Sequence, residues 1–213
     1  MGEQRAHPFL QVVRNRATIE EFDPARDLSE QEIRELIEDT IQAPSSFNIQ
    51  HWRFVALRNP EEKKRLRAAA YGQALVEDAA VTFIVLGDVR GHEKLAGILQ
   101  SSVDAAVISR RKADRWVEMS DKIYADGQRA RDEAIRSATL AAMTLMLAAS
   151  ARGLSSAPLI GFDPERLQKE FAIPEHCLPV MLVCVGRAAE GNPARKVRMG
   201  ADRVLAFDRG SGF

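Results

Sequence analysis

The sequence has few cysteines and no long apolar run. Its 213 residues include two cysteines, Cys177 and Cys184, which do not form a C-x-x-C pair. This usage excludes a disulfide-dense secreted scaffold and predicts a reducing, cytoplasmic environment. The longest uncharged run, residues 137–151, is shorter than the roughly 20 apolar residues that a membrane-spanning helix needs. Because the first residues carry charges and no apolar segment, we also expect no secretion signal and no membrane span.

Several nucleotide and metal signatures are also missing. The chain has neither a G-x-x-x-x-G-K-[ST] loop nor a G-x-G-x-x-G turn after a strand pattern, which argues against a P-loop NTPase and a Rossmann site. Its four histidines lack the H-E-x-x-H spacing of zinc proteases, so we expect no metal centre. The 30 basic and 30 acidic residues give a net charge of zero, and bulk charge therefore predicts no nucleic-acid partner.

The apolar patterns predict a single α+β domain over residues 1–213. Ser29 followed by Glu32 is a capping box that begins a helix, which Pro44 ends. Three strand patterns follow, and Cys184 lies inside the last of them as a core residue. Because the strands are few, central and separated by helical patterns, a three-layer arrangement fits best. The strand patterns cover residues 52–57, 79–87 and 179–186.

A long helix is predicted from about Gln128 to Arg152, with Gly153 as its cap. Its second half is apolar on nearly every side, so it needs cover all round. We infer a homodimer packed along this helix, with a C-terminal arm (residues 187–213) reaching over the partner. A monomer with a central helix remains the alternative. The region 90–126 is helical but less regular.

Four polar or basic segments stand out, and each alone is a weak signal. Taken together, they offer the contacts that one kind of ligand needs. Basic side chains suit a phosphate monoester, short polar side chains suit a polyol and a ring edge, and residues 158–161 offer a flat, partly apolar surface at which Gly161 permits close approach. These properties describe flavin mononucleotide (FMN). The four segments are RNRATIEEF (14–22), APSSFNIQHWRF (43–54), SSAPLIGF (155–162) and ARKVR (194–198).

These segments, in this order, resemble the nitroreductase family of FMN-dependent NAD(P)H oxidoreductases. RATIEEF looks like the family's N-terminal motif, and APSSFNIQHWRF is the most specific match. GLSSAPLIGFDPERL and the final KVR resemble two further family motifs. The resemblance implies a central, mostly antiparallel sheet flanked by helices, a variable lid over residues 90–126, a long apolar helix at a dimer interface and an extended C-terminal tail. It also implies FMN as the cofactor and NAD(P)H as the electron donor.

The resemblance implies a site shared between two subunits. The Pro-Ser-Ser-x-Asn loop of one subunit would contact an FMN held mainly by the other, while Trp52 and Phe54 would anchor the following strand. No side chain is expected to act as a general acid or base. The implied cofactor-binding residues are Arg16, Lys196 and Arg198 for the phosphate, Ala17 and Thr18 for the ribityl chain and ring edge, Pro44, Ser45, Ser46 and Asn48 from the loop, Leu159, Ile160 and Gly161 through their backbone, and, more loosely, Gln73.

The implied reaction moves a hydride from NAD(P)H through the flavin to an electron-poor nitroaromatic or quinone-like acceptor, in a ping-pong sequence. Two alternatives stay open. One is another flavin reaction on the same fold, such as reductive dehalogenation or ring oxidation, and the other is a non-catalytic FMN-binding protein. Glu20 departs from the family pattern, which has a cation near the pyrimidine edge. Either Glu20 turns away, or another donor substitutes, or the flavin potential is lowered.

Overall fold

The fold is built around an antiparallel sheet of five strands. A computed structural model describes residues 7–25 and 27–210. The strand order is β1–β5–β3–β2, and β4 pairs with β5 on the side away from β3. Every pairing between these strands is antiparallel, which confirms the predicted sheet. The strands are β1 (Phe22–Asp23), β2 (Trp52–Leu57), β3 (Val81–Asp88), β4 (Ser155–Leu159) and β5 (Cys177–Ala188).

The predicted strand patterns became the three longest strands. All eight residues of β3 are buried, as a strand covered on both faces requires. Cys184 of β5 is fully buried, and this burial raises the pKa of its thiol to about 12. The prediction that Cys184 is a core residue is therefore confirmed. Trp52 is also buried, as expected, and it packs with Ala43 and Ala141.

Eight helices are found in the described residues. The one that the capping box predicted does begin with Ser29 and Glu32 in reciprocal hydrogen bonds, and it ends at Thr40, four residues before Pro44. The region predicted as a lid contains a short 3-10 turn at Gly91–Lys94 and two helices. The helices are α1 (Pro8–Asn15), α2 (Glu30–Thr40), α3 (Pro60–Ala69), α4 (Leu75–Asp78), α5 (Leu95–Asp104), α6 (Arg110–Tyr124), α7 (Gly127–Ala151) and α8 (Pro164–Glu170).

Helices cover both faces of the sheet. Phe83 and Val85 of β3 pack in one core with α2 and α7. Their neighbour Ile84 faces the opposite way and packs in a second core with Leu66 of α3 and Leu167 of α8. This alternation follows from the two-residue period of a strand. The predicted three-layer α+β architecture is confirmed.

Helix α7 runs through the middle of one layer. It spans Gly127–Ala151, and Gly153 follows with a φ of +72°, the left-handed conformation expected of a cap. By length and composition alone this helix could cross a membrane, but core helices of water-soluble proteins pass the same test. Only 44% of its most apolar stretch is buried within the single chain. Leu140 and Met143 are among its exposed residues.

Two strands escaped the sequence analysis. Residues 155–162 were marked as one of the four polar or basic segments and not as a strand, yet Ser155–Leu159 forms β4 at the edge of β5. Serine and proline weaken a strand signal, and proline is tolerated where a sheet edge does not need its missing N–H. The two-residue strand β1 is too short to show any periodicity.

Candidate functional site

The main pocket lies between the segment after α1, the turn before α4, strand β4 and the C-terminal arm. Its volume is about 650 Å³, which falls within the roughly 300–1,000 Å³ of small-molecule sites. The lining combines apolar side chains with charged and amide groups, as expected for a site that orients a ring. Thr18, Ile19, Glu20, Glu21, Phe22, Gln73, Ala74, Leu75, Asp78, Ala157, Leu159 and Lys196 line it.

Gln73 ties two walls of this pocket together. Its amide nitrogen Nε2 donates to the carbonyl oxygen of Gly161 at 2.7 Å and to that of Ala70 at 3.1 Å. A Cβ atom at position 161 would lie 3.2 Å from Nε2, so a side chain there would crowd this bond. Because both donor hydrogens of the amide are used, Gln73 can offer a ligand only its acceptor oxygen.

Glu20 does not turn away from the site. Its Oε1 lies 3.5 Å from Nζ of Lys196, and both side chains line the main pocket. Asn192 holds the two segments in place, since its Oδ1 accepts from the backbone nitrogens of Glu20 and Glu21 at 2.7 and 3.1 Å. The arm therefore brings a cation to the carboxylate that departs from the family pattern.

A second, smaller cavity of about 100 Å³ adjoins the first, and Ile19 lines both. It is lined by Arg16, Ala17 and Ser156 among others. The hydroxyl oxygen of Ser156 is buried and has no hydrogen-bond partner among the described residues. A buried hydroxyl without a partner is costly, so this atom points to a polar ligand.

Arg16 lines that cavity, and two further arginines of the C-terminal arm lie close enough to act on its charge. Burial lowers the pKa of Arg16, and the positive charges of Arg195 and Arg198 lower this pKa further. Within the described part of the chain, none of the three lies within ion-pair distance of a carboxylate. Arg195 also donates to the carbonyl oxygens of Val13 and Arg14 at the end of α1. Like charges this close are stabilised by an anion between them.

The loop after α2 forms a separate, rigid element. Phe47, Asn48 and Gln50 have positive φ angles of 51°, 61° and 57°, a conformation that persists only where surrounding contacts enforce it. The hydroxyl oxygen of Ser45 accepts from the backbone nitrogen of Gln50 at 2.9 Å. The loop is therefore held in one shape, although its outer face is exposed.

Helix α6 supports this loop at two points. The Tyr124 hydroxyl donates to the hydroxyl oxygen of Ser46 at 2.8 Å. About two turns earlier in the helix, the Trp116 ring meets the Phe47 ring edge to face, with centroids 6.1 Å apart. The lid region and the loop thus form one packed unit.

Comparisons with known proteins agree on one family. The model of the nitroreductase family matches residues 13–187. The chain belongs to the nitroreductase family. A Bacillus subtilis relative, YodC, provisionally named NAD(P)H nitroreductase, is 33% identical over 85% of this chain and 90% of its own. A Thermus thermophilus protein named NADH dehydrogenase is 35% identical, covering 82% of this chain and 84% of its own.

Solved structures give the same result for this nitroreductase. A Bacillus subtilis structure of the family, ydfN, superposes with a TM-score of 0.88 at 29% identity, over 93% of this chain and 98% of that one. An Exiguobacterium sibiricum protein, solved in complex with FMN, has a TM-score of 0.87 at 27% identity, over 96% and 99% of the two chains. The expected nitroreductase fold is therefore confirmed.

The structure of this nitroreductase divides the implied cofactor residues into groups. Those of the N-terminal segment, β4 and the arm lie together, whereas the loop after α2 lines neither cavity among the described residues. Ile160 is 80% exposed. Thr18, Gln73, Leu159 and Lys196 line the main pocket, Gly161 is bonded to Gln73, Arg16 and Ala17 line the small cavity with Arg198 nearby, and Pro44, Ser45, Ser46 and Asn48 lie on the separate loop.

Sequence reasoning missed three residues of the candidate site. Arg195 lies beside the two arm cations that the family pattern marked, but its proximity to Arg16 depends on the fold. Asn192 bonds to residues more than 170 positions earlier, a distance that no periodicity reports. Tyr124 is the last residue of α6, and only its hydrogen bond to Ser46 shows its role.

Proposed function

We propose that this nitroreductase is an FMN-dependent oxidoreductase that passes a hydride from NAD(P)H to an electron-poor acceptor, such as a nitroaromatic or a quinone. The donor and the acceptor would occupy the same slot in turn, in a ping-pong sequence. The observation that carries this proposal is the pair of adjoining cavities. One is large and partly apolar, the other is small and lined by Arg16 with Arg195 and Arg198 acting on its charge, and Ile19 lines both.

The small cavity fits the phosphate of FMN. Arg16, Arg195 and Arg198 together supply fixed positive charge with bidentate geometry, and the unpartnered Ser156 hydroxyl supplies a further hydrogen bond. Arg16 is half-buried, and the charges of the two exposed arginines act on it, so an anion bound among the three would be stabilised. A phosphate dianion at the end of the main pocket would be such an anion.

The main pocket fits the flavin ring. The backbone around Leu159 and Gly161 would lie against the ring, the acceptor oxygen of Gln73 would take a ring N–H, and Thr18 and Lys196 would contact the polar edge. When bound, FMN supplies the hydride-accepting chemistry. The chain binds, orients and shields it, and Lys196 offsets the charge of Glu20 at 3.5 Å.

The site becomes complete in a homodimer. The loop from Pro44 to Asn48 is rigid but lies apart from both cavities of its own chain, so it is free to cover the FMN of a second copy. Helix α7 leaves Leu140 and Met143 exposed, which a second copy would bury. The arm likewise presents exposed apolar side chains at Val197, Met199, Val204, Leu205 and Phe207.

The dimer also suits a cytoplasmic protein. A second copy, rather than lipid, would cover the exposed side of α7. Both cysteines are free and buried, which suits a reducing compartment.

The test is the visible spectrum of the purified protein, recorded before and after anaerobic addition of NADH or NADPH. We expect a flavin spectrum that either donor or both donors bleach, and that a quinone restores. A protein that stays colourless with added FMN would contradict the cofactor. A yellow protein that neither donor bleaches would bind FMN but would not catalyse the proposed hydride transfer.

A further inference from the structure

Helix α6 begins with an excess of positive charge that does not stabilise the helix. Arg110, Arg111 and Lys112 open its first turn, which has no acidic residue, and Arg115 follows one turn later. Positive side chains at a helix N-terminus oppose the helix dipole. Asp114 is the one acidic residue in residues 110–115. The concentration of cations therefore costs stability here and points to a role in binding.

These side chains line a groove on the outer face of the lid. The groove has a volume of about 790 Å³ and is formed by Ser109, Arg111, Lys112, Arg115, Trp116 and Met119. Nζ of Lys112 lies 4.9 Å from the centroid of the Trp116 ring. In the described part of the chain, no carboxylate pairs with Arg111, Lys112 or Arg115 within 4.0 Å. The groove thus combines unpaired cations with an aromatic surface.

The groove adjoins the loop that would cover the flavin. Trp116, which lines the groove, contacts Phe47 of that loop through its ring, and Tyr124 of the same helix holds Ser46. A dinucleotide donor places its nicotinamide at the flavin and must lay its adenosine end on the surrounding surface. The groove is large, cationic and next to the loop, and is therefore a suitable surface for that end.

We propose that this groove binds the 2′-phosphate end of NADPH and makes the enzyme prefer NADPH to NADH. The inference rests on the proposed function. A phosphate monoester carries about −1.5 to −2 charges at neutral pH, and arginines bind it bidentately. NADH has a hydroxyl at the same position and gives the three cations no such partner. Trp116 offers a surface for the adenine.

The first experiment measures the rate of flavin bleaching in single turnovers at increasing donor concentration. The groove variant R111A/K112A/R115A is compared with K64A/R65A/K169A, which loses as many positive charges from α3 and α8, two helices that pack on each other. Alanine keeps the helix propensity of α6. We expect the groove variant to lose about tenfold to a hundredfold in NADPH affinity, to change less than about threefold with NADH, and the control variant to match wild type with both donors.

A second experiment keeps the groove testable without flavin chemistry. Calorimetry compares 2′,5′-ADP with 5′-AMP, which differ by the 2′-phosphate alone. We expect tighter binding of 2′,5′-ADP to wild type and to the control variant, and no difference between the two ligands in the groove variant. If the protein cannot be reduced by either donor, the proposed function fails, while this titration still decides on the groove.

Two outcomes would overturn the inference. In one, the groove variant weakens NADPH and NADH equally, or neither of them. In the other, it changes only the reaction with a carboxylated acceptor, which would assign the groove to the acceptor instead of the donor.

Discussion

The arginine cluster makes a sharp prediction about Arg198. Its charge lowers the pKa of Arg16, so the two guanidinium groups repel each other when no anion lies between them. We expect Arg198→Ala to relieve this repulsion in the apoprotein and to remove one charge-assisted contact in the complex. Both effects weaken FMN binding. One such contact contributes about 1.5–3 kcal/mol, which corresponds to roughly tenfold to a hundredfold in the dissociation constant.

The lower end of that range is expected, because Arg198 is exposed and solvent weakens exposed charge pairs. The assay titrates apoprotein with FMN and with riboflavin, which lacks the phosphate, and follows flavin fluorescence. Riboflavin should lose much less affinity than FMN. Arg203→Ala, elsewhere on the arm, serves as the control and should leave both ligands unchanged. Equal losses for FMN and riboflavin in Arg198→Ala, or no loss for either, would refute the phosphate assignment.

Three further predictions concern other parts of the site and the helix that supports the loop. Tyr124→Phe removes the hydrogen bond to Ser46 and should weaken FMN binding by about threefold to tenfold. The exposed Tyr71→Phe is the control, and an FMN affinity of Tyr124→Phe equal to that of wild type would contradict a role for this hydrogen bond. Glu20→Arg should raise the flavin reduction potential, because a positive charge favours the reduced, anionic flavin, and an unchanged potential in a potentiometric titration would mean that Glu20 does not act on the ring. Burial lowers the pKa of His51, so this side chain binds a proton more readily in the unfolded chain than in the folded one. The unfolding free energy should therefore fall as pH drops below about 6.5. It should fall less in His51→Gln.

The elements that the sequence predicted best are those with strong local signals. The continuous apolar run of β3, the capping box of α2 and the apolar length of α7 each report a structure formed within a few turns or residues. Strand β4 was missed because Ser155 and Pro158 weaken its pattern, and it becomes a strand only because β5 offers an edge to pair with.

The residues of the candidate site also differ in whether the local sequence marks them. Arg16 and the Pro-Ser-Ser-x-Asn loop were marked because their local sequence is distinctive. Asn192, Arg195 and Tyr124 act on residues distant in the chain, and Asn192 reaches Glu20 across 172 positions. Such contacts depend on where the sheet and the arm place their ends, so composition and spacing contain no signal for them.

The central claim is that two copies of the chain build each FMN site. Sedimentation at micromolar concentration, followed at a visible wavelength that flavin absorbs, reports the mass and the cofactor of the same species. The shared site predicts one yellow species with the mass of two chains and about one FMN per chain. A yellow species with the mass of a single chain, holding its FMN, would contradict it.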